Sequence, residues 1–141
     1  MPDTFRNPDA AAIRALLQSV RTIAVVGLSP SPLRPSHGVA RALQQFGYKV
    51  IPVRPAVDQV LGERAYPTLS DVAEPFDLVD VFRSPEHIAP LVDECLRLGV
   101  KAIWLQDGVV DEAAARRAAD AGVTVVMDRC IYRDYNALCR D

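Results

Sequence analysis

The segment at residues 22–55 constrains the fold more than any other part of this chain. It contains an unbroken apolar run at 23–26, a loop that opens with Gly27, an amphipathic helical pattern, and a second apolar run at 49–53. Apolar runs without polar alternation are typical of parallel strands covered on both faces. Gly27 ends the first run because glycine tolerates the sharp turn from a strand into a helix. The segment therefore predicts a βαβ unit of the kind that binds nucleotides.

The loop after Gly27 is expected to place anion-binding groups at the start of the helix. Ser36 is predicted to cap this helix, and Gly47 follows its last apolar residues as a C-terminal glycine would. Free N–H groups and the positive end of the helix dipole favour an anion there. Ser29 and Arg34 add a hydroxyl and a guanidinium donor. We interpret the loop as a phosphate site; a proline-rich surface turn with a solvated arginine is the alternative.

This loop departs from the glycine-rich dinucleotide fingerprint. After Gly27 the chain reads LSPSPLRPSHG, so the second glycine of the fingerprint is missing. Pro30, Pro32 and Pro35 restrict the backbone and predict a stiff loop that is shaped before any ligand binds. His37 also belongs to the loop, where a solvated histidine is expected and a second donor to the phosphate is the alternative.

The residue after the second strand bears on which nucleotide fits. NAD-binding folds place an acidic residue about 20 residues beyond the glycine loop. Here the cationic Arg54 stands 27 residues after Gly27. A phosphorylated ribose, as in NADP or coenzyme A, is therefore favoured over a free ribose. An exposed arginine at a strand end is an equal alternative.

Apolar runs and helical patterns keep alternating beyond residue 55. Strands are predicted at 78–82, 102–105 and 123–127, and helices at 9–18, 86–98, 111–121 and 132–140. Pro90 indicates that regular helix in the second of these begins nearer Ala89 than Ser84. The link at 56–77 is expected to hold a turn and one short helix. The alternation predicts an α/β fold, a Rossmann-like doubly wound parallel sheet of five strands in a single three-layer domain spanning 1–141, with an N-terminal helix within 1–20 packed on it.

Composition excludes several classes of function. The chain has 16 basic and 18 acidic residues and no basic run, so nucleic-acid binding is not expected. No apolar run approaches the ~20 residues of a membrane span and no signal peptide is evident, so we expect no membrane association and a cytoplasmic location. The three cysteines lack CxxC or zinc-finger spacing, which favours reduced thiols and no metal site. Of these, Cys95 is expected in the core.

Six blocks of sequence carry a family resemblance. They read VVGLSPSPLRPS, GYKVIPVRP, LGERAYPTLSDV, DLVDVFRSPE, AIWLQDGVV and VVMDRC, in this order over about 22–132. With them the chain resembles the stand-alone CoA-binding domain proteins, which are similar to the N-terminal CoA-binding domain of the succinyl-CoA synthetase alpha subunit. The resemblance implies coenzyme A or an acyl-CoA as the ligand.

The resemblance also implies a set of ligand-binding residues along the strand ends. These are Gly27, Ser29, Pro30, Arg34, Pro35 and Ser36 around the phosphates, Arg54 and Pro55 beside the adenosine, Phe82, Arg83 and Ser84 bordering the nucleotide, and Gln106 and Cys130 toward the pantetheine arm. The synthetase loop is richer in glycine than this one, so the details of phosphate contact differ.

The sequence favours a binding module over an enzyme. The catalytic half of the synthetase, with its phosphorylated histidine, has no counterpart here, and no GxSxG elbow or Cys–His signature is present. Cys130 is the one candidate nucleophile. An NADP-binding Rossmann protein, either an oxidoreductase or a redox sensor, is the alternative because fold alone does not fix function. Trp104 is expected either in the core or at an oligomer contact. A homo-oligomer is therefore possible, and the sequence does not identify a protein partner.

Overall fold

A computed structural model describes residues 5–140, so the first four residues of the predicted N-terminal segment and Asp141 lie outside the described residues. Within that range the helices are α1 (Ala10–Ser19), α2 (Pro35–Gln45), α3 (Ile88–Leu98), α4 (Glu112–Asp120) and α5 (Ile131–Leu138). The strands are β1 (Thr22–Val26), β2 (Lys49–Val53), β3 (Gln59–Val60), β4 (Glu63–Arg64), β5 (Leu78–Val81), β6 (Ala102–Leu105) and β7 (Thr124–Met127). No helix in 5–140 is long and apolar enough to cross a membrane.

Five of the strands form one parallel sheet in the order β2-β1-β5-β6-β7. The chain moves outward from β1 to β2, then returns past β1 to β5 and continues in the opposite direction. The order therefore reverses between β1 and β5, which is where such sheets open a ligand crevice at their carboxyl ends. This confirms the predicted Rossmann-like, doubly wound α/β fold.

Helices cover both faces of the sheet and make the predicted three layers. On one face Val79, Val81 and Ile103 pack beneath α3 and α4. On the other face Ile23 and Val25 pack beneath α1, α2 and α5. Burial on both sides is the reason that the strands read as apolar runs without alternation. The predictions that Trp104 and Cys95 lie in the core are confirmed, since both are inaccessible to solvent.

The start of α2 differs from the prediction. Ser36 does not cap the helix, because the helix begins two residues earlier than that role requires, with Pro35 at its first position and Arg34 before it without a side-chain cap. Proline suits that position, since its missing N–H would have had no helical partner. The Ser36 hydroxyl instead accepts a hydrogen bond from the Ser29 N–H at 3.0 Å. Ser36 therefore holds the preceding loop.

The carboxyl end of each edge strand is hydrogen-bonded to another part of the chain. At the β7 edge, the Asn7 side chain donates to the Met127 carbonyl at 2.9 Å and accepts from the Met127 N–H at 2.7 Å. At the β2 edge, the Tyr66 N–H donates to the Pro52 carbonyl, and the Arg54 N–H donates to the Tyr66 carbonyl. Tyr66 follows the β3–β4 hairpin, which the sequence did not predict; the predicted short helix is a 3-10 turn at Leu69–Asp71.

Candidate functional site

A cleft of about 960 Å³ opens at the carboxyl ends of β1, β5 and β6, where the strand order reverses. Its volume lies at the upper end of the range usual for small-molecule and cofactor sites. It is lined by Gly27, Ser29, Pro30, Ser31, Arg34, Pro35, Ser36, Val39, Arg54, Phe82, Arg83, Gln106, Asp107, Val109 and Cys130. Pro55 and Ser84 line an adjoining hollow that shares Arg54 and Arg83 with the cleft. The structure thus gathers the residues named from the sequence, and their contact with a ligand stays a prediction.

Gly27 allows the carboxyl ends of β1 and β5 to approach each other at the centre of the cleft. Its φ is +83°, and a Cβ at this position would lie 2.3 Å from the carbonyl oxygen of Phe82. Backbone hydrogen bonds fix the ends of these strands. The Gly27 N–H donates to the Val53 carbonyl at the end of β2, and the Phe82 N–H donates to the Val26 carbonyl at the end of β1, each at 2.9 Å. Only glycine combines this backbone conformation with this distance.

The loop between β1 and α2 is held by its own hydrogen bonds. Ser36 accepts from the Ser29 N–H, and the Ser29 hydroxyl accepts from the Ser31 N–H, each at 3.0 Å. The Arg34 N–H donates to the Ser31 carbonyl at 3.1 Å. Ser29 and Ser36 are buried, so these bonds are sheltered from competing water. The loop is shaped in advance, which reduces the entropy that a ligand would have to offset.

His37 is not the solvated loop residue that the sequence suggested. It lies in the first turn of α2, partly buried, with Nδ1 3.0 Å from the Ser29 carbonyl oxygen. A carbonyl oxygen only accepts hydrogen bonds, so Nδ1 carries the proton in this contact. The prediction was wrong because the start of α2 at Pro35 turns the ring back toward the loop. His37 therefore fastens the loop and does not line the cleft.

Three arginines give the cleft a positive end. Arg34, Arg54 and Arg83 all line it, from the loop, the end of β2 and the end of β5. None of the three forms an ion pair with the residues that the structure describes. In a chain with a formal charge of −2, this is a local concentration of uncompensated cations beside the N-terminus of α2. Such an arrangement attracts polyvalent anions.

The opposite end of the cleft is built by the ends of β6 and β7. Gln106 is buried, and its Oε1 accepts from the Ile131 N–H at 3.2 Å, which leaves the amide nitrogen as a donor. Asp107 receives two hydrogen bonds from Arg133, at 2.7 and 2.8 Å, and this pairing lowers the pKa of its carboxyl. Cys130 is buried at the position that precedes α5. This end therefore combines an amide, a thiol and a carboxylate.

Sequence reasoning missed two acidic residues, Asp107 on the cleft wall and Asp80 buried within the sheet. Asp107 lies just beyond the end of β6, so the strand-end reasoning that singled out Arg54 would also have found it. Asp80 lies mid-strand, and alternation puts it on the Leu78 side of the sheet, between Val25 on β1 and Trp104 on β6. A charge within the apolar run LVDV was the signal for it.

Asp80 is an unusual buried carboxyl. Both of its oxygens are inaccessible to solvent, and neither has a hydrogen-bond partner among residues 5–140. Loss of solvation raises the pKa of Asp80 well above its ordinary value, and the nearby Val81 N–H opposes this rise only in part. The group is therefore neutral over a wide pH range, because burial disfavours its charged form.

The described residues contain no group of three or more histidine, cysteine or acidic side chains placed to hold a metal ion.

The sequence profile of a family described as "CoA binding domain" matches residues 21–136, which is most of the chain. The chain belongs to the CoA-binding domain family. An uncharacterized protein of Bacillus subtilis, YneT, is 42% identical over 127 residues, covering 90% of this chain and 94% of that protein. The acetate–CoA ligase (ADP-forming) II of Archaeoglobus fulgidus is 29% identical over 96 residues, which are 65% of this chain but 14% of the ligase.

Solved structures of similar proteins agree with this family assignment. A hypothetical protein from Pyrococcus horikoshii has a TM-score of 0.90 at 31% identity, and the match covers 99% of this chain and 100% of that one. A protein from Thermus thermophilus has a TM-score of 0.88 at 37% identity, covering 93% of this chain and 99% of that one. The CoA-binding domain therefore occurs both as a chain of about this length and as a small part of ligases.

Proposed function

We propose that the cleft binds coenzyme A, free or as an acyl thioester, and that the chain is a binding module without chemistry of its own. One observation carries the proposal: three arginines without ion-pair partners among the described residues converge on one cleft at a helix N-terminus. Coenzyme A carries a diphosphate and a 3′-phosphate, so it presents the anionic groups that such a site needs. Family membership supports the same ligand.

Charge gives the ligand a direction in the cleft. The phosphates belong at the end with Arg34, Arg54 and Arg83, next to the start of α2. The 3′-phosphate and the adenosine then lie toward Arg54 and the adjoining hollow with Pro55 and Ser84. The pantetheine arm extends past Phe82 to the uncharged donors of the other end, where Gln106 offers an amide N–H. The thiol or thioester comes to rest near Cys130.

We propose no catalytic role because Cys130, the candidate nucleophile, has no base placed to activate it among the described residues. A cysteine nucleophile needs a base within hydrogen-bonding reach. Both histidines of the chain lie within the described residues, and neither lines the cleft. Asp107 is the titratable neighbour on the cleft wall, and both of its oxygens are engaged by Arg133. We therefore assign the chain a carrier, sensor or regulatory role.

Calorimetric titration of ligand-stripped protein with CoA, dephospho-CoA and NADP tests the proposal. CoA should bind more tightly than dephospho-CoA, which lacks the 3′-phosphate. Arg54→Gln should weaken CoA binding about tenfold, the effect of losing one charge-assisted hydrogen bond, and should affect dephospho-CoA much less. The matched control is Arg97→Gln, which removes an exposed charge on α3 away from the cleft. NADP binding without CoA binding would overturn the proposal in favour of the redox alternative.

A further inference from the structure

The end of the cleft assigned to the thioester has a carboxylate in its wall, and this bears on which acyl groups fit. The inference rests on the proposed function, because it concerns the acyl chemistry of the same ligand. Among the described residues that line the cleft, Asp107 is the one acidic side chain. It lies on the β6 side, at the opposite end from the β2 side that holds Arg54.

The basic residues near Asp107 are already engaged. Two guanidinium nitrogens of Arg133 donate hydrogen bonds to the Asp107 carboxylate, at 2.7 and 2.8 Å, and Arg133 does not line the cleft. Arg129 is held in the same way by Asp134, at 2.6 and 2.8 Å. Neither guanidinium is free to receive a carboxylate from a ligand without breaking a bidentate pair.

A second carboxylate adds to the negative character of this end. The Asp128 Oδ1 accepts a hydrogen bond from the Gly108 N–H at 2.7 Å, which fixes it beside the turn that follows Asp107. Around this turn Asp107, Asp128 and Asp134 face Arg129 and Arg133, so acidic groups exceed basic ones. The cleft is thus positive where the phosphates are placed and lacks a free positive group where the acyl chain would end.

We infer that Asp107 determines acyl specificity, so that the cleft accepts free CoA and uncharged acyl-CoA thioesters and discriminates against acyl groups that carry a carboxylate. The physical cause is the like charge of Asp107 and such an acyl group at the end of the cleft. Arg133 balances the charge of Asp107 but keeps no free pair of N–H donors for a ligand carboxylate, and Asp128 leaves this end with a net negative charge. Negative charge at the cleft wall therefore leaves the binding of a neutral acyl group unchanged and weakens the binding of an anionic one.

Butyryl-CoA and succinyl-CoA test the inference, because both have four-carbon acyl groups and differ in a terminal methyl or carboxylate. At low salt we expect succinyl-CoA to bind roughly fivefold more weakly, the effect of two like charges a few ångströms apart in a solvated site. The ratio of the two dissociation constants should approach one in about 1 M salt, where the Debye length falls to about 3 Å. Comparing the two dissociation constants within each variant removes any loss of affinity that the substitution causes for both ligands alike.

Two variants and a control separate the role of Asp107 from a general change in the cleft. Asp107→Asn should remove the preference for butyryl-CoA or reverse it, since Arg133 is then released. The double variant Asp107→Asn with Arg133→Gln should give a ratio near one. Asp93→Asn is the control, because Asp93 is an exposed carboxylate that also pairs with an arginine, Arg117 at 2.8 Å, outside the cleft. Its ratio should equal that of the wild type.

The possible results are distinct. Equal or tighter binding of succinyl-CoA by the wild type would overturn the inference, as would a ratio that survives in Asp107→Asn. In either case tight binding of free CoA would leave the proposed function standing. If CoA and both thioesters fail to bind, the proposed function is wrong and the inference is wrong with it.

Discussion

The buried carboxyl of Asp80 makes the stability of this protein depend on pH in an unusual direction. Its pKa is raised in the folded state by burial, whereas in the unfolded chain it has the ordinary value of an aspartate, about 3.9. Below that value Asp80 is protonated in both states, and its contribution to stability is at its most favourable. As the pH rises, the unfolded chain releases this proton while the folded protein keeps it. The folded state therefore loses stability until the pH reaches the raised pKa.

The variant Asp80→Asn isolates this effect, because the amide has nearly the same shape and does not titrate. Each pH unit between the two pKa values of Asp80 changes the free energy of unfolding by up to about 1.36 kcal/mol. Above pH 5, and for as long as the pH stays below the raised pKa, the variant should therefore gain on the order of 1 kcal/mol per pH unit relative to the wild type, with little difference near pH 4.

Urea unfolding followed by circular dichroism at several pH values measures the two stability profiles. Asp58→Asn serves as the control, since Asp58 is an exposed aspartate beside β3 whose side chain makes no hydrogen bond among the described residues. Parallel profiles for Asp80→Asn and the wild type would refute the reasoning, because they would mean that Asp80 ionises normally in the fold. Asp80→Val adds a second measurement: it should stabilise the protein by about 1–3 kcal/mol even near pH 4, where the unpartnered polar group itself is the cost.

Two further substitutions test how the cleft is built. Gly27→Ala should destabilise the protein by at least about 2 kcal/mol and abolish CoA binding in calorimetry, because its Cβ would meet the Phe82 carbonyl oxygen at 2.3 Å. Gly38→Ala is its control, with no atom within 4 Å of the new Cβ, and should stabilise α2 by about 0.5–1 kcal/mol. Ser36→Ala should cost about 1–3 kcal/mol in urea unfolding by leaving the buried Ser29 N–H without its acceptor, and an unchanged stability would contradict that reading of the loop.

The sheet could be predicted from sequence because its strands carry their own signal. Residues 49–53 and 102–105 were predicted with the bounds that the structure has, since burial on both faces leaves mostly apolar segments, and a glycine precedes each of them by a few residues. The site followed from the sheet, because a strand end fixes where the next residue lies. Arg54 was singled out in this way, whereas Phe82, Arg83 and Ser84 were named only because the family resemblance implies them.

What the sequence did not reveal depends on contacts between distant or weakly patterned segments. The β3–β4 hairpin has strands of two residues each, too short for any alternation to appear. Ser36 was assigned to the helix cap because serine favours that position, but Pro35 took the first helical position and the hydroxyl found Ser29 instead. The environment of Asp80 depends on two neighbouring strands that only the fold brings beside it.

The hydrogen bonds at the edges of the sheet limit how copies of this chain can associate. Asn7 satisfies both hydrogen-bonding groups of Met127 at one edge, and Tyr66 pairs with Pro52 and Arg54 at the other. A second copy therefore finds these backbone positions already taken, which guards against growth of the sheet from chain to chain.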